Sequence, residues 1–278
     1  MRFIAVGDAF VDVICDRMPQ PRKRVHAAAV LRAGGSSINA ALTAAKLGAA
    51  ASVIARVGDD AAGDLVGATL AAAGVDATLA RDPQLPTGVA VAFEDAVVAD
   101  RGANAALAPA DIPTELAGDA LLVSGFALFQ SGSRDAARVA LGRFRGNWTA
   151  VDLASPRLAD RDFEATVVFA TAAEASAMTG LDAEAAAREL ARTFDVVCVK
   201  LGPEEGALAV SGTQRERVAV RPVASASPFG AGDAFAAAFL VTLARGGSLR
   251  GALERACEHG ARAASILQPT ASSAAKQC

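Results

Sequence analysis

The chain has 278 residues, which is enough for one large α/β domain with a sizeable hydrophobic core and a small appendage. Its net charge is only -3, and no run of Lys and Arg is interleaved with aromatic residues, so the charge pattern of a nucleic-acid-binding protein is missing. Apolar residues make up 53% of the chain but occur in short runs, and none approaches the roughly 20 that a transmembrane helix needs.

The cysteine and histidine residues indicate a reducing compartment. The four cysteines are scattered without a C-x-x-C pair, and the two histidines have no cysteine partners at zinc-site spacing. The N-terminal stretch MRFIAVGDAF is typical of a first β-strand and not of an export signal. We therefore expect a cytoplasmic protein that has no structural metal and does not bind membranes or nucleic acids.

Strand-like and helix-like stretches alternate along the chain. The first four are a strand at 2–7, a helix at 36–48, a strand at 51–58 and a helix at 61–74. After residue 108, strands are predicted at 120–125, 148–154, 166–171, 195–202, 206–210 and 217–223, and helices at 131–145, 182–193, 231–247 and 249–266. This alternation predicts a mostly parallel sheet covered by helices.

Two stretches interrupt this alternation. Residues 9–33 are strand-like with polar turns, and residues 86–99 alternate like a β-hairpin around Glu94 and Asp95. Neither stretch has the apolar spacing of a helix. We expect both to contribute to a small β-sheet outside the main layer.

The stretch SASPFGAGDAF at 225–235 places an acid directly behind a glycine-rich turn, where an Ala-rich helix begins. The glycines allow backbone amides to approach a ligand closely, and the first turn of a helix offers unpaired N–H groups, so the pair can bind an anion. A carboxylate at Asp233 could take a proton from an attacking hydroxyl. Alternatively, Gly230 and Gly232 only form a turn and Asp233 only complements the helix dipole.

GAGDAF followed by an Ala-rich helix resembles the C-terminal signature of the ribokinase-like (PfkB) sugar kinases. Further stretches resemble this family in the same order over nearly the whole chain: GDAFVD (7–12), GGSSINAALTAAKLG (34–48), RVGDDAAGDLVGATLAAAGVD (56–76), RGANAAL (101–107) and VKLGPEEGAL (199–208). The resemblance implies that the turn formed by Gly230, Ala231 and Gly232 is the anion hole and that Asp233 is the catalytic base.

The resemblance also implies two sets of binding residues. Those for the sugar are Asp12, Gly34, Gly35, Asn39, Arg101 and Asn104, and those near the nucleotide are Lys200, Gly202 and Gly206. Plainer interpretations stay open: a solvated turn acid at Asp12, a helix-start polar group at Asn39, and a structural or solvated Lys200. Arg101 either faces solvent or pairs with a carboxylate or phosphate of the acceptor.

The fold implied by the resemblance is a single ribokinase-like domain over residues 1–278. It has a three-layer α/β/α core with a mostly parallel sheet and a small β-sheet lid, built from about 9–33 and 86–100. The lid would cover the sugar and exclude water, which would otherwise accept the phosphoryl group. Homodimers through the lid are common in the family, so a homodimer is expected here.

Two positions depart from the family pattern. Ser227 stands where the family usually has an Asp that helps to form a monovalent-cation site, so K⁺ activation is doubtful. TAAE (171–174) stands where the family often has N-x-x-E, so Thr171 replaces Asn while Glu174, linked to Mg²⁺ through water, is retained. An ordinary helix-start acid is the alternative interpretation of Glu174.

The sequence thus predicts an ATP- and Mg²⁺-dependent kinase that phosphorylates a hydroxyl of a small sugar or sugar-like polyol. One alternative is a nucleoside kinase or a 2-keto-3-deoxy sugar acid kinase of the same fold. A second alternative is a sugar- or nucleotide-binding homologue that no longer catalyses.

Overall fold

The computed structural model describes residues 1–18, 21–22, 24–93, 96–158, 160–220 and 229–266. Its strands are β1 (Arg2–Val6), β2 (Phe10–Cys15), β3 (Ala29–Gly34), β4 (Ala50–Gly58), β5 (Asp76–Asp82), β6 (Gly88–Ala92), β7 (Val97–Asp100), β8 (Leu116–Ala117), β9 (Ala120–Ser124), β10 (Phe144–Arg145), β11 (Trp148–Asp152), β12 (Val167–Thr171), β13 (Val196–Gly202), β14 (Gly206–Ser211) and β15 (Gln214–Val218). Its helices are α1 (Ser36–Lys46), α2 (Ala61–Ala72), α3 (Gly125–Phe129), α4 (Arg134–Arg143), α5 (Ala172–Thr179), α6 (Ala183–Leu190), α7 (Ala231–Ala244) and α8 (Leu249–Ile266).

The main sheet has nine strands within the described residues, in the order β15-β14-β13-β12-β11-β9-β1-β4-β5. The strands from β13 through β5 run parallel, whereas β14 and β15 are antiparallel to their neighbours. Because the parallel strands share one direction, their carboxyl ends meet along one edge, where parallel α/β sheets bind their ligands. The predicted mostly parallel sheet is confirmed.

Helices cover both faces of this sheet and form two apolar cores. Successive residues of β1 alternate between them, with Phe3 in one core and Ile4 in the other, as the two-residue period of a strand requires. The first core contains residues of α1, α2, α7 and α8, and the second contains residues of α3, α4, α5 and α6. This arrangement is the predicted α/β/α core.

Helix α7, which begins with the glycine turn, is embedded in the first core. Every residue from 234 to 241 is buried, so the helix is apolar on all sides. The rings of Phe235 and Phe239 meet Phe169 of β12 edge-on, at centroid distances of 6.2 and 5.5 Å. This packing fixes the start of α7 relative to the carboxyl edge of the sheet.

A separate four-stranded sheet has the order β3-β2-β6-β7. Its strands fall within the two stretches that interrupt the α/β alternation, which confirms the predicted small sheet outside the main layer. Strands β2 and β6 pair in parallel, and β3 and β7 flank them in antiparallel orientation. The turn expected at Glu94 and Asp95 lies outside the described residues.

Several boundaries differ from the sequence prediction. The strand predicted at 217–223 is instead β15 at Gln214–Val218, and residues 221–223 lie outside the described part. The helix predicted at 131–145 is α4. The short helix α3 precedes it, and Ser124 caps α3 by accepting a hydrogen bond from Phe126 N. Strand β5 escaped prediction because its sequence, DATLARD, has few apolar residues, as suits an edge strand. Among the described residues, no helix is long and apolar enough to cross a membrane.

Candidate active site

Two glycine turns meet at the carboxyl edge of the main sheet. Gly35 precedes α1 with φ 95°, and Gly230 precedes α7 with φ 77°, a left-handed conformation that glycine adopts readily. Asn39 of α1 donates from Nδ2 to Asp233 Oδ2 of α7 at 2.9 Å, although the two residues are 194 positions apart. The structure therefore joins the N-terminal and C-terminal signature stretches in one site.

Asp233 is half-buried and its carboxyl group is poorly hydrated. The pKa of Asp233 is raised to about 7: burial is the largest influence, the hydrogen bond from Asn39 acts against it, and the negative charge of Asp152 adds to it. The positive charge of Lys200 lowers the pKa of Asp233, and the negative charge of Asp12 raises it. A carboxyl group with a pKa near 7 can take up and release a proton at neutral pH, as a general base must.

The start of α7 supplies backbone donors beside this carboxyl group. Ala234 N donates the first intrahelical hydrogen bond, to Gly230 O at 3.0 Å, so the amides of residues 231–233 precede the hydrogen-bonded part of the helix. These amides and the helix dipole favour an anion at this position. These are the amides that the predicted anion hole at Gly230, Ala231 and Gly232 would use.

A half-buried ion pair that the sequence analysis missed lies beneath the glycine turn. Lys200 Nζ, at the carboxyl end of β13, contacts Asp152 Oδ1, at the end of β11, at 2.6 Å. A Cβ placed on Gly232 would lie 3.3 Å from that Nζ and 3.8 Å from Asp152 Oδ2, so glycine allows the turn to sit directly on the pair. Lys200, predicted to lie near the nucleotide, is therefore next to Gly232 of the glycine turn.

Glu174 and Thr171 form a capping box at the start of α5. Glu174 Oε2 accepts from Thr171 N at 2.7 Å, and Thr171 Oγ1 accepts from Glu174 N at 3.2 Å. Burial raises the pKa of Glu174, while the Thr171 amide and the charge of Lys200 act against this. The helix-start interpretation of Glu174 is therefore part of its role.

The described residues contain no group of three or more His, Cys, Asp or Glu side chains that could hold a metal ion by themselves. Mg²⁺ in kinases is usually held by one or two carboxylates, several waters and the substrate phosphates, so a complete protein cage is unnecessary. Glu174, which lies close enough to Asp152 and Lys200 for their charges to act on its pKa, could supply one such carboxylate. Ser227, the position that bears on K⁺, lies outside the described residues.

The small sheet contributes Asp12, whose carboxylate lies over the first glycine turn. A Cβ on Gly34 would overlap that carboxylate, so glycine is needed there for Asp12 to hold this position. Arg32 of β3 donates from Nη2 to Asp12 Oδ2 at 3.1 Å. Burial raises the pKa of Asp12 and the charge of Arg32 opposes it.

The loop between β1 and β2 is held by Gly35 and by Arg101. A Cβ on Gly35 would overlap the carbonyl oxygen of Asp8, and Ser37 Oγ donates to that oxygen at 2.9 Å. Arg101 grips the Asp8 carboxylate with Nε and Nη2 at 3.1 and 2.7 Å, and Nη2 also donates to Ser133 Oγ at 3.1 Å. The bidentate contact predicted between Arg101 and a carboxylate is therefore present. The carboxylate belongs to Asp8 of this chain and not to an acceptor.

Asn104 is buried and its side chain holds the same loop. Its Oδ1 accepts from Ala9 N at 2.8 Å, and its Nδ2 donates to Ala9 O at 2.8 Å and to Arg101 O at 2.9 Å. Both N–H groups of the amide are therefore used within the protein. The structure favours a positioning role for Asn104 over direct contact with a sugar.

Gly202 and Gly206 lie at the two ends of the turn between β13 and β14. Both have left-handed backbones, with φ 103° and 77°, and the pairing of the two strands shifts register between Lys200 and Gly202. A Cβ on Gly206 would overlap Val218 O of β15. Backbone conformation and packing therefore account for glycine at both positions, whether or not the turn contacts a nucleotide.

A cavity of about 530 Å³ lies elsewhere, among Arg138, Thr149, Asp162 and Thr166. Thr149 is near the amino end of β11, and Thr166 directly precedes β12. This cavity is therefore at the opposite edge of the sheet from Asp233, where parallel α/β sheets do not bind substrates.

Comparisons with known proteins agree with this geometry. The chain is 29% identical over 297 residues to 5-dehydro-2-deoxygluconokinase of Geobacillus kaustophilus, covering 95% of this chain and 87% of that protein. Its fold matches a probable sugar kinase protein from Rhizobium etli CFN 42 with a TM-score of 0.82 at 22% identity, over 96% and 94% of the two chains. It also matches fructokinase from Vibrio cholerae O395, solved with fructose, ADP and calcium ion bound, with a TM-score of 0.78 at 26% identity, over 95% and 92% of the two chains.

The chain also matches the sequence model of a protein family. The pfkB family carbohydrate kinase model covers residues 2–276, which is nearly the entire chain. This range spans the residues of both glycine turns, Asn39, Asp233 and the strands of the small sheet. The chain therefore belongs to the pfkB family of carbohydrate kinases and is an enzyme that phosphorylates a sugar with ATP.

Proposed function

We propose that Asp233 is the general base of this kinase and that the amides of residues 230–233 form its anion hole. The observation that carries the proposal is the 2.9 Å hydrogen bond between Asn39 and Asp233, because it brings a base with a pKa of about 7 into the site where both signatures meet. Asp12, Gly34, Gly35 and Asn39 would bind the acceptor sugar.

In this mechanism the acceptor hydroxyl gives its proton to Asp233 as its oxygen attacks the γ-phosphorus of ATP. A new O–P bond forms, the bond from the γ-phosphorus to the β,γ-bridging oxygen breaks, and ADP leaves with that electron pair. The amides at the start of α7 receive the charge of the phosphoryl group during transfer, which is the electrostatic part of the catalysis.

Lys200, Gly202 and Gly206 would lie along the nucleotide. Lys200 carries a positive charge next to Gly232, because the nearby charge of Asp152 keeps the pKa of Lys200 above its ordinary value despite burial. Mg²⁺, when bound, would neutralise charge on the phosphates, and Glu174 would hold it through water. K⁺ activation is not part of the proposal.

The small sheet would act as the lid of a single domain over residues 1–278 and as the interface of a homodimer. Register pairs Leu31 with Val13, Val13 with Val91, and Val91 with Val98, so these residues form one row across the sheet. The ends of this row are apolar and open, with Leu31 62% and Val98 69% exposed. The row lies on the opposite face from Asp12, so a second copy could cover it without blocking the acceptor.

The free thiols of the described residues, Cys15, Cys198 and Cys257, support a reducing compartment, and we propose the cytoplasm. The acceptor is proposed to be a small sugar or sugar-like polyol. Nucleosides and 2-keto-3-deoxy sugar acids remain alternatives, and the Geobacillus relative adds 5-dehydro-2-deoxygluconate to the candidates.

The test is an ADP-release screen with Mg-ATP against sugars, polyols, sugar acids and nucleosides, with Asp233→Asn in parallel. We expect one acceptor class to give ADP release that collapses in Asp233→Asn. If no acceptor supports turnover while calorimetry still shows sugar or ATP binding, the chain is a non-catalytic binding homologue and the proposal fails.

A further inference from the structure

Arg32 lies on the acceptor face of the lid, directly opposite Asp12. The register of β2 and β3 pairs these two residues, and Gly34, two residues further along β3, lies on the same face. Asp12 is also one of the charges that act on Asp233. Asp12 therefore links the two other charged groups: Arg32 contacts it directly, and its charge reaches Asp233.

The guanidinium of Arg32 is only partly used within the protein. A single contact, from Nη2 to Asp12 Oδ2 at 3.1 Å, joins it to a carboxylate, and its buried Nε has no hydrogen-bond partner among the described residues. Arg101, by comparison, makes three hydrogen bonds to Asp8 and Ser133. Of these two arginines at the acceptor end of the site, Arg32 is the one whose buried Nε is left without a hydrogen-bond partner within the described residues.

Unused donors in a poorly hydrated place favour an anionic ligand. A guanidinium presents five N–H groups in a planar fork that matches a carboxylate, and a buried N–H without an acceptor destabilises the state that contains it. The side chain of Arg32 is 27% exposed, so part of it remains open while Asp12 is held. Asp12 uses Oδ2 for Arg32, which leaves Oδ1 to accept from sugar hydroxyls.

We infer that Arg32 is a specificity-determining residue that binds the carboxylate of an acidic acceptor, and that the substrate is a sugar acid. The acceptor would extend from its attacking hydroxyl at Asp233, past hydroxyls at Asp12, to its carboxylate at Arg32. This inference rests on the proposed function, because it uses the same acceptor site. It replaces Arg101 with Arg32 as the residue that recognises the acid.

The contrasting role for Arg32 is to orient Asp12 for a neutral polyol. In that case the loss of Arg32 would weaken binding of neutral and acidic acceptors to the same extent. If Arg32 binds the carboxylate of the acceptor, the loss of Arg32 weakens the binding of acidic acceptors alone. The two roles therefore differ in selectivity, which stability or overall activity would not reveal.

The experiment compares D-gluconate and 2-keto-3-deoxy-D-gluconate with D-glucitol and D-fructose, as ligands by calorimetry and as acceptors in the ADP-release assay. We expect the wild-type enzyme to bind and phosphorylate at least one acid in preference to the neutral compounds. Arg32→Gln should raise the KM for that acid about tenfold to hundredfold, the usual range for a lost charge-assisted contact, with kcat changed less than about threefold. Arg32→Lys should recover part of the loss.

The matched control is Arg217→Gln, which removes an arginine from an ion pair with Glu205 on the exposed strand β15. It should leave the KM of every acceptor unchanged. Preference for a neutral compound in the wild-type enzyme, or an equal loss for acids and neutral compounds in Arg32→Gln, would overturn the inference. The wild-type comparison needs no variant, so a misfolded Arg32→Gln would not obscure the result.

Failure of the proposed function looks different. If Asp233 is not the base, Asp233→Asn retains turnover, while the preference for acids and its dependence on Arg32 can still be measured by calorimetry. If only the Arg32 inference is wrong, turnover still depends on Asp233 but the preferred acceptor is neutral.

Discussion

The floor of the site and its lid hold their charged residues in different ways. On the floor, Asp152 and Lys200 project from strand ends of the main sheet and Asp233 from a helix buried on all sides. On the lid, Asp12 and Arg32 belong to a four-stranded sheet whose other face carries exposed Leu31 and Val98. The groups proposed to act in phosphoryl transfer thus belong to the main sheet and a buried helix, whereas the groups proposed to select the acceptor belong to the small outer sheet.

Asp233→Asn is the most severe test of the floor. Removing a general base lowers rates by about 10²- to 10⁴-fold, and we expect a kcat loss in this range for every acceptor. Asp64→Asn is a matched control, because Asp64 is also an acid in the first turn of a helix but is exposed. A kcat loss confined to some acceptors would contradict the division between floor and lid.

Lys200→Met and Asp152→Asn test the ion pair beneath the turn. We expect each to lower kcat by about 10- to 10³-fold for all acceptors, since a fixed charge beside the transferred group is lost or misplaced. The double variant should lose little more than Lys200→Met alone, because both changes break one interaction. Strictly additive losses in a double-mutant cycle would show that the two residues act separately.

Asp12→Asn tests the lid. The substitution keeps the size of the side chain but removes its charge and replaces one acceptor oxygen with an NH2 donor, so we expect the KM of the sugar to rise about tenfold. The KM of ATP should stay constant, because Asp12 belongs to the lid and not to the floor. A change in the KM of ATP equal to that of the acceptor would contradict the comparison.

The smallest effect is on stability and depends on pH. A carboxyl pKa of about 7 in the folded protein, against an ordinary 3.8, means that the charged form of Asp233 destabilises the folded state. This cost begins above pH 3.8, grows until about pH 7 and is complete above it. Asp233→Asn removes the cost, so we expect its free energy of unfolding to exceed that of wild type by about 1–3 kcal/mol at pH 8 and by less at pH 5. Urea unfolding at pH 8 and pH 5 measures these free energies. An equal difference between Asp233→Asn and wild type at both pH values would refute the prediction.

The sequence allowed prediction of the parts of the site that depend on local motifs. Both glycine turns, Asn39 and Asp233 come from stretches whose residue types and order are specific. It did not reveal that Asp152 pairs with Lys200, because these residues are 48 positions apart and meet only through the order of β11, β12 and β13. Both residues lie toward the carboxyl ends of parallel strands. This shared position was the signal available in the sequence.

The two arginines show a second reason for missing contacts. Arg101 was predicted at the mouth of the site, but its partner Asp8 follows β1 and could be assigned only from the folded loop. Arg32 lies in a stretch recognised as strand-like, yet its face depends on register, and a shift of one residue would have turned it away from Asp12. Composition and periodicity do not fix register.

The edges of the two sheets also differ in composition. The outer strands of the main sheet are charged, with Arg215, Glu216 and Arg217 on β15 and Asp76 and Arg81 on β5, whereas the lid edges β3 and β7 expose Val30 and Val98. Charged edge strands discourage strand addition by other chains, and exposed apolar edges invite it. We therefore expect destabilised variants of this kinase to aggregate through the lid, and charged substitutions on β7 to be an effective way to keep such variants in solution.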